Sequence, residues 1–315
     1  MVDYRPFHNS DPPEVSRLWH ECGLGRGAAT DFEADVIETV VFSQPYFDRN
    51  GLIVAEDQGT AVGFVHAGFG PNANGAALDR RTGVIGAVMV APSHRRRGIG
   101  RELVRRAEEY LRSLGAETIL AGGADPYDPF YFGIYGGSQP AGFLESDPLA
   151  EPFFTAVGYV PQSRHLVYQR SLADKSDPIG LRLMGVRRAT KLGTLSSAER
   201  PWWWQTRPGR LDSVDFTLLP KGGGDPLATV TVLGLDFYIS RWQQRAIGFL
   251  NLHVQEGFRK KGYGQALLVE ACRRVREEMI TLAEAHVPAD DLPAAKVFES
   301  AGFHQVDAGT VYRRV

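Results

Sequence analysis

Two stretches of the chain place arginine and glycine at a spacing suited to holding phosphate. The first is Val88-Met-Val-Ala-Pro-Ser-His-Arg-Arg-Arg-Gly-Ile-Gly100; the second is Leu252-His-Val-Gln-Glu-Gly-Phe-Arg-Lys-Lys-Gly-Tyr-Gly264. In each, an apolar, strand-like run ends at a valine (Val90, Val254), and the pattern Arg-x-x-Gly-x-Gly begins five positions later, at Arg95 or Arg259. An amphipathic segment follows. Its apolar residues fall at helical spacing: Leu103, Val104, Ala107, Tyr110, Leu111 and Leu114 in the first copy, Leu267, Leu268, Ala271, Cys272 and Val275 in the second. A strand that turns through glycines into a helix presents unpaired backbone N–H groups at the helix start. The helix dipole favours negative charge there, and the missing side chains allow close approach. The chemistry this implies is a diphosphate cradle.

Other phosphate loops fit less well. The pattern Gly-x4-Gly-Lys-Ser/Thr is absent at both places. A dinucleotide fingerprint would need Gly or Ala at positions 103 and 267, which hold Leu103 and Leu267. A third match, Gly23-Leu-Gly25-Arg-Gly-Ala28, follows a helix-like stretch rather than a strand and lacks the context the fingerprint requires.

The likeness of the two stretches extends downstream. Residues 147–159 and 291–303 both read Asp-x-x-Ala-x-x-x-Phe-x-x-x-Gly-aromatic, a short helix ending at a glycine before a strand. The loops lie 164 positions apart but the helix-end glycines, Gly158 and Gly302, only 144, so the first copy holds about 20 additional residues. These fall near 124–145, in a run rich in Tyr, Pro and Gly. The repeat divides the chain into a first half over 1–172, a polar linker at 173–180 and a second half over 181–315, shorter at its start. Before its insert, the first half reads as helices from about Pro12 and Phe32 and strands at 52–56, 61–67, 84–90 and 118–121. Two further strands, near Val160 and at 165–169, end that half. The second half reads as strands at 215–219, 227–233, 247–254, 279–285 and 310–313. Mixed strands and helices predict an α/β (α+β) mixed sheet in each half.

With both motifs and their flanking elements in place, the chain resembles the GNAT superfamily of CoA-dependent N-acetyltransferases, in a tandem arrangement. The plan is similar to that of mycothiol synthase in architecture, with no substrate-specific motif in common. The resemblance implies two acyltransferase domains, each with a sheet splayed between its fourth and fifth strands, and acetyl-CoA in the gap. It implies that backbone groups of Met89 and Val90, and of His253 and Val254, hold the pantetheine arm. The pyrophosphate would lie on Arg95, Arg96, Arg97, Gly98, Ile99 and Gly100 in one half, and on Arg259, Lys260, Lys261, Gly262, Tyr263 and Gly264 in the other.

Transfer to an amine needs a polarised carbonyl, a route for the amine proton and a proton for the departing thiolate. In many members of the family that last proton comes from a Tyr four residues before the helix-end glycine. Here Phe154 and Phe298 stand at those positions, and a phenyl ring has no proton to donate. The family's Asn in this motif is Asp147 and Asp291. Candidate substitutes are Tyr127, Tyr131 and Tyr135 in the insert, with Asp128 nearby and Asp125 to bind an amine. His66 on the third strand, and Glu284 or His286 on the second half's fifth strand, are candidate bases. The run Trp202-Trp203-Trp204 suits packing or an interface. The function expected is acetyl transfer from acetyl-CoA to a small-molecule or peptide amine; the alternative is a non-catalytic acyl-CoA-binding or sensory protein.

Composition narrows the partners. A formal net charge of −2 gives no global field toward nucleic acid, and the basic run at 94–97 is followed by Glu102, Glu108 and Glu109. No apolar run approaches the roughly 20 residues of a membrane span. Cys22 and Cys272 are far apart, in no metal-like spacing, so no metal and no disulfide are expected. With no apolar leader at the start, the expectation is a cytoplasmic protein, a monomer whose halves form an internal pseudo-dimer.

Overall fold

The computed structural model describes residues 2–174, 176–195, 200–207 and 211–315; the expected linker includes Lys175, which lies outside them. Strands are β1 (Val2–Pro6), β2 (Leu52–Asp57), β3 (Thr60–Pro71), β4 (Leu78–Val90), β5 (Thr118–Ala121), β6 (Phe143–Leu144), β7 (Tyr159–Ser171), β8 (Thr190–Leu195), β9 (Ser213–Pro220), β10 (Ala228–Gly234), β11 (Ala246–Val254), β12 (Leu282–Pro288) and β13 (His304–Arg314). Helices are α1 (Pro12–Cys22), α2 (Ala34–Ile37), α3 (Ile99–Ser113), α4 (Ala150–Ala156), α5 (Leu181–Ala189), α6 (Trp202–Thr206), α7 (Ile239–Trp242), α8 (Tyr263–Glu277) and α9 (Leu292–Ser300). The expected amphipathic segments are α3 and α8. Each starts at a left-handed glycine (Gly98, φ 83°; Gly262, φ 91°) and buries the predicted stripe, from Leu103 to Leu111 and from Leu267 to Val275.

The strands join into one sheet, in the order β1-β2-β3-β4-β5-β13-β7-β12-β11-β10-β9-β8, with β6 also paired to β13. This differs from the two separate sheets the sequence suggests. The two strands expected at the end of the first half are a single strand, β7. It leaves its own half to pair antiparallel with β12, while the last strand of the chain, β13, pairs with β5. Each half thus lends its closing strand to the other. Between them β7 and β13 form a long antiparallel ladder with His165 opposite Gly309. Those two residues are 144 positions apart, the offset of the helix-end glycines, so a pseudo-twofold axis passes between them. The exchange leaves neither half with an unpaired closing edge.

Two arginines lock it. Arg170 on β7 lies over Gly302 of the second half, and Arg314 on β13 lies over Gly158 of the first, donating to its carbonyl at 2.8 Å. A Cβ at Gly158 would stand 2.1 Å from the Arg314 guanidinium, and Gly158 has φ 90°, so glycine is needed there for both space and conformation. Arg170 also reaches Asp177 in the connection between the halves, at 2.5 Å. Asp177 accepts from Arg273 (2.6 Å) and Arg276 (3.1 Å) on α8 as well. Burial alone would raise its carboxyl. The hydrogen bonds from Arg276, Arg273 and Arg170 outweigh that and hold it at about 2.

Helices α3 and α4 cover one face of the first half in a core of Leu103, Leu111 and Phe154, and α8 and α9 do the same in the second around Leu267, Cys272 and Phe298. The opposite face carries one core that spans both halves. It unites Trp19 of α1 and Phe64 of β3 with Leu233 of β10, Leu250 of β11 and Tyr238 beside α7. At its centre is the insert. This segment leaves the sheet after β5 and re-enters as β6, which pairs with Gly309 and Thr310 as Pro288 and Val287 of the uninterrupted β12 pair with β7. Its neck is pinched shut by an Ala124–Ala141 bridge and by the Gly142 N–H donating to Gly123 O at 2.8 Å. Phe130, Tyr131, Phe132 and Ile134 are buried, and Asp128 pairs with Arg207 of the second half.

If the exchange holds the fold together, chain segments 1–176 and 177–315 expressed separately will be largely unfolded by circular dichroism, and mixing them will restore a cooperative melt. Two independently folded fragments would contradict the exchange.

Candidate functional site

Each half has a slot where its fourth and fifth strands separate. β4 and β5 are paired, in parallel, only from Thr82–Thr118 to Ile85–Ala121, and β11 and β12 only from Ala246–Leu282 to Phe249–Ala285. The fourth strand continues alone to Val90 or Val254. Both fourth strands carry a one-residue bulge beside the slot, in β4 at Gly86 and in β11 between Leu250 and His253, where Asn251 has φ 52°. A bulge re-aims the backbone groups of the strand. Met89 is buried and His253 exposed, with Val90 and Val254 between those extremes.

The two glycine loops are built alike. A 3-10 turn, Pro92–His94 or Glu256–Phe258, leads into a left-handed residue at the second loop position, Arg96 (φ 64°) or Lys260 (φ 60°), and a left-handed glycine at the fourth. The first loop residue braces the turn: Arg95 Nε donates to Val90 O at 3.0 Å, and Arg259 Nε to Val254 O at 3.1 Å. These two arginines therefore shape the loop, leaving Arg96, Arg97, Lys260 and Lys261 exposed around it. Helix packing crowds the last glycine: a Cβ at Gly100 would lie 2.9 Å from Phe153 on α4, and one at Gly264 3.1 Å from Val297 on α9. Ile99 is buried beneath the first loop, while Tyr263 is half-buried against Phe258 in the second.

Phe154 is buried in a stack with Phe143 and Tyr312, at centroid distances of 4.7 and 5.5 Å, and Phe298 packs on Phe303. Asp291 caps α9, accepting from Ala294 N at 3.0 Å, and Asp147 accepts from Leu149 N at 3.1 Å.

The insert gathers the first-half candidates. Tyr131 Oη lies 3.1 Å from Nδ1 of His66, whose ring stacks on Phe130 at 3.8 Å. Neither residue reaches solvent. Burial lowers His66 to about 3 and raises Tyr131 and Tyr135 well above the ordinary phenol range, so all three are neutral at physiological pH. Tyr135 Oη accepts from Leu144 N at 3.2 Å, bracing the return into β6. The same insert packs on the paired part of β11 and β12, below the second half's slot. Ser138 lies where a Cβ on Gly248 would be, and its N–H donates to Glu284 at 2.9 Å. Glu284, fully buried, also accepts from Gln169 at 2.6 Å and lies 3.3 Å from His286. The structure thus brings His66 with Tyr131, and Glu284 with His286, and places Tyr135 apart from both pairs.

An open cleft of about 500 Å³ flanks β5 on the insert face, lined by Leu120, Asp125, Tyr127, His165, Asp290 and Val311, among others. Asp125 stands at its rim with its carboxyl raised by desolvation, which Arg207 partly offsets. Both halves build this cleft, through the exchanged strands. Sequence reasoning named Asp125 but missed His165 and Asp290, because only the exchange brings them there. Trp203 packs against Tyr46 of the first half at 4.9 Å. Among the described residues no group of three or more His, Cys, Asp and Glu side chains is placed to hold a metal, and no helix is long and apolar enough to cross a membrane.

Paired loops, paired slots and a strand exchange define a tandem acyltransferase architecture. The profile of the Acetyltransferase (GNAT) family matches residues 24–133 and 190–303, and the chain belongs to that family. Its fold is similar to a GCN5-related N-acetyltransferase from Sphaerobacter thermophilus (17% identity, 99% of this chain and 95% of that one, TM-score 0.66). It is equally similar to a tandem GNAT protein from the clavulanic acid biosynthesis pathway (18% identity, 99% and 98%, TM-score 0.66). No protein of curated function matches the chain.

A histidine held near 3 when folded, against an ordinary 6.5, contributes stability above pH 6.5 that is lost as pH falls toward 3. The expected result for His66→Gln is a smaller drop in melting temperature between pH 7.5 and pH 5 than the parent shows, measured by scanning calorimetry.

Proposed function

We propose that the protein transfers an acetyl group from acetyl-CoA to a small primary amine, with the first half performing the transfer. The observation that carries this reading is the matched construction of the two loops and slots, down to the Arg95 and Arg259 braces. Backbone groups of Met89 and Val90 would hold the pantetheine arm and amides of residues 95–100 the pyrophosphate, with 253–254 and 259–264 doing the same in the second half. The thioester supplies the acetyl carbon that the amine attacks.

The acceptor is assigned to the cleft beside β5, where Asp125 and Asp290 attract an ammonium group and the apolar Leu120 and Val311 accept its carbon body. The volume suits a small molecule better than a protein chain. The amine must arrive at the carbonyl neutral, and its proton passes to Asp125 or water. With Phe154 and Phe298 in place of the family's tyrosine, the departing thiolate takes its proton from water. A thiol of pKa roughly 8.5 is a good enough leaving group for this. Tyr131 and His66 form a neutral hydrogen-bonded pair that positions the insert next to Gly86. The second half keeps its loop, and the insert packs Ser138 on Gly248 and Glu284 in the paired strands below its slot; we assign it CoA binding without turnover.

The two phenylalanines also favour a second reading, a CoA-binding protein that turns over nothing. An amine screen separates the two. On the first reading Gly98→Glu abolishes turnover, Gly262→Glu preserves most of it, and Asp125→Asn raises KM for the amine about tenfold with a smaller change in kcat. Absence of turnover with every amine class would favour the second.

A further inference from the structure

The helix that begins the second half reaches that half's phosphate loop. α5 is docked on α8: Leu183 and Val186 are buried in the core that α8 helps to form, and Arg187 Nε meets Glu270 at 2.5 Å. The Asp177 cluster fixes the segment leading into it. So held, Arg182 in the first turn of α5 lays its aliphatic stem against the loop. A Cβ built on Gly262 would stand 3.1 Å from both Cγ and Cδ of Arg182. The residue is exposed, and its guanidinium has no ion pair or hydrogen bond among the described residues.

The loop's own cations are partly engaged. Arg259 braces Val254, and Lys261 Nζ donates to Gly257 O at 2.8 Å. The first loop has no counterpart to Arg182, since a Cβ on Gly98 would meet nothing within 4 Å.

We propose that Arg182 is a pyrophosphate-binding residue of the second CoA site, closing its guanidinium over the group held by the amides of residues 259–264. The inference rests on the reading of that loop as a CoA site. A guanidinium matches phosphate oxygens bidentately, and a stem already packed on Gly262 loses little freedom when it binds. The second site then has a side-chain ligand that the first lacks, and holds CoA more tightly and with a steeper salt dependence.

The test uses the full chain carrying Gly98→Glu, so that only the second loop binds, titrated calorimetrically with CoA. Arg182→Ala weakens binding tenfold or more, and Arg182→Lys recovers part of the loss. In the full chain carrying Gly262→Glu instead, Arg182→Ala leaves the first site unchanged. Melting curves confirm that the substitutions leave the fold intact. Unaltered or tighter binding in Arg182→Ala would overturn the proposal, tighter binding marking Arg182 as a plug on the loop. An effect that vanishes with dephospho-CoA would overturn the assignment to pyrophosphate. No CoA binding by the Gly98→Glu protein with Arg182 intact would fail the loop reading itself, and this proposal with it.

Discussion

The pairing of β7 with β13 is the constraint on which the rest depends. Because each strand pairs with the other half's fifth strand, each half's sheet is completed by the other, and both slots lie beside one shared ladder. The His165–Gly309 register sets the pseudo-twofold axis, and that axis brings Asp290 and Val311 of the second half beside Leu120 and Asp125 of the first. The cleft assigned to the acceptor is thus a product of the exchange. Arg170 and Arg314, each lying over the other half's helix-end glycine, tie the exchanged strands to the helices that flank each slot.

The insert breaks the symmetry. Its neck closes on Gly122 and Gly142, whose positive φ and crowded surroundings admit no side chain: a Cβ on Gly142 would lie 2.3 Å from Thr310. Its body buries Phe130 and Tyr131 against the first half, sets Phe132 beneath Arg207 of the second, and presses Ser138 onto Gly248. One segment therefore packs beside the first slot and on the paired strands below the second. A buried Glu284 tolerates this because the Ser138 N–H and Gln169 satisfy its oxygens.

Much of the local structure was legible in the sequence. Periodicity located α3 and α8, and the matched Asp-x-x-Ala-x-x-x-Phe-x-x-x-Gly-aromatic segments located α4 and α9. Repeated Arg-x-x-Gly-x-Gly pointed to the family, and the offset of 144 against 164 exposed the insert. The exchange was not legible, because local pattern says that a segment such as 159–171 is extended but not which strand it pairs with. A continuous polar run at 162–165, after Pro161, divided β7 into two apparent strands, since its first part is exposed while its second part is buried between β12 and β13. α5 and β8 were missed as well, lying in a weakly amphipathic stretch just after the polar linker. Tyr131 and His66 looked chemical by residue type. Only the three-dimensional packing revealed that burial keeps both neutral.

On the proposed reading, both loops are working CoA sites on one exchanged sheet. Calorimetric titration of the intact protein with acetyl-CoA tests it most directly. Two working loops bind two equivalents per chain, resolved as two affinities. A stoichiometry of one would contradict the equivalence of the loops, and no binding would contradict the acetyltransferase reading as a whole.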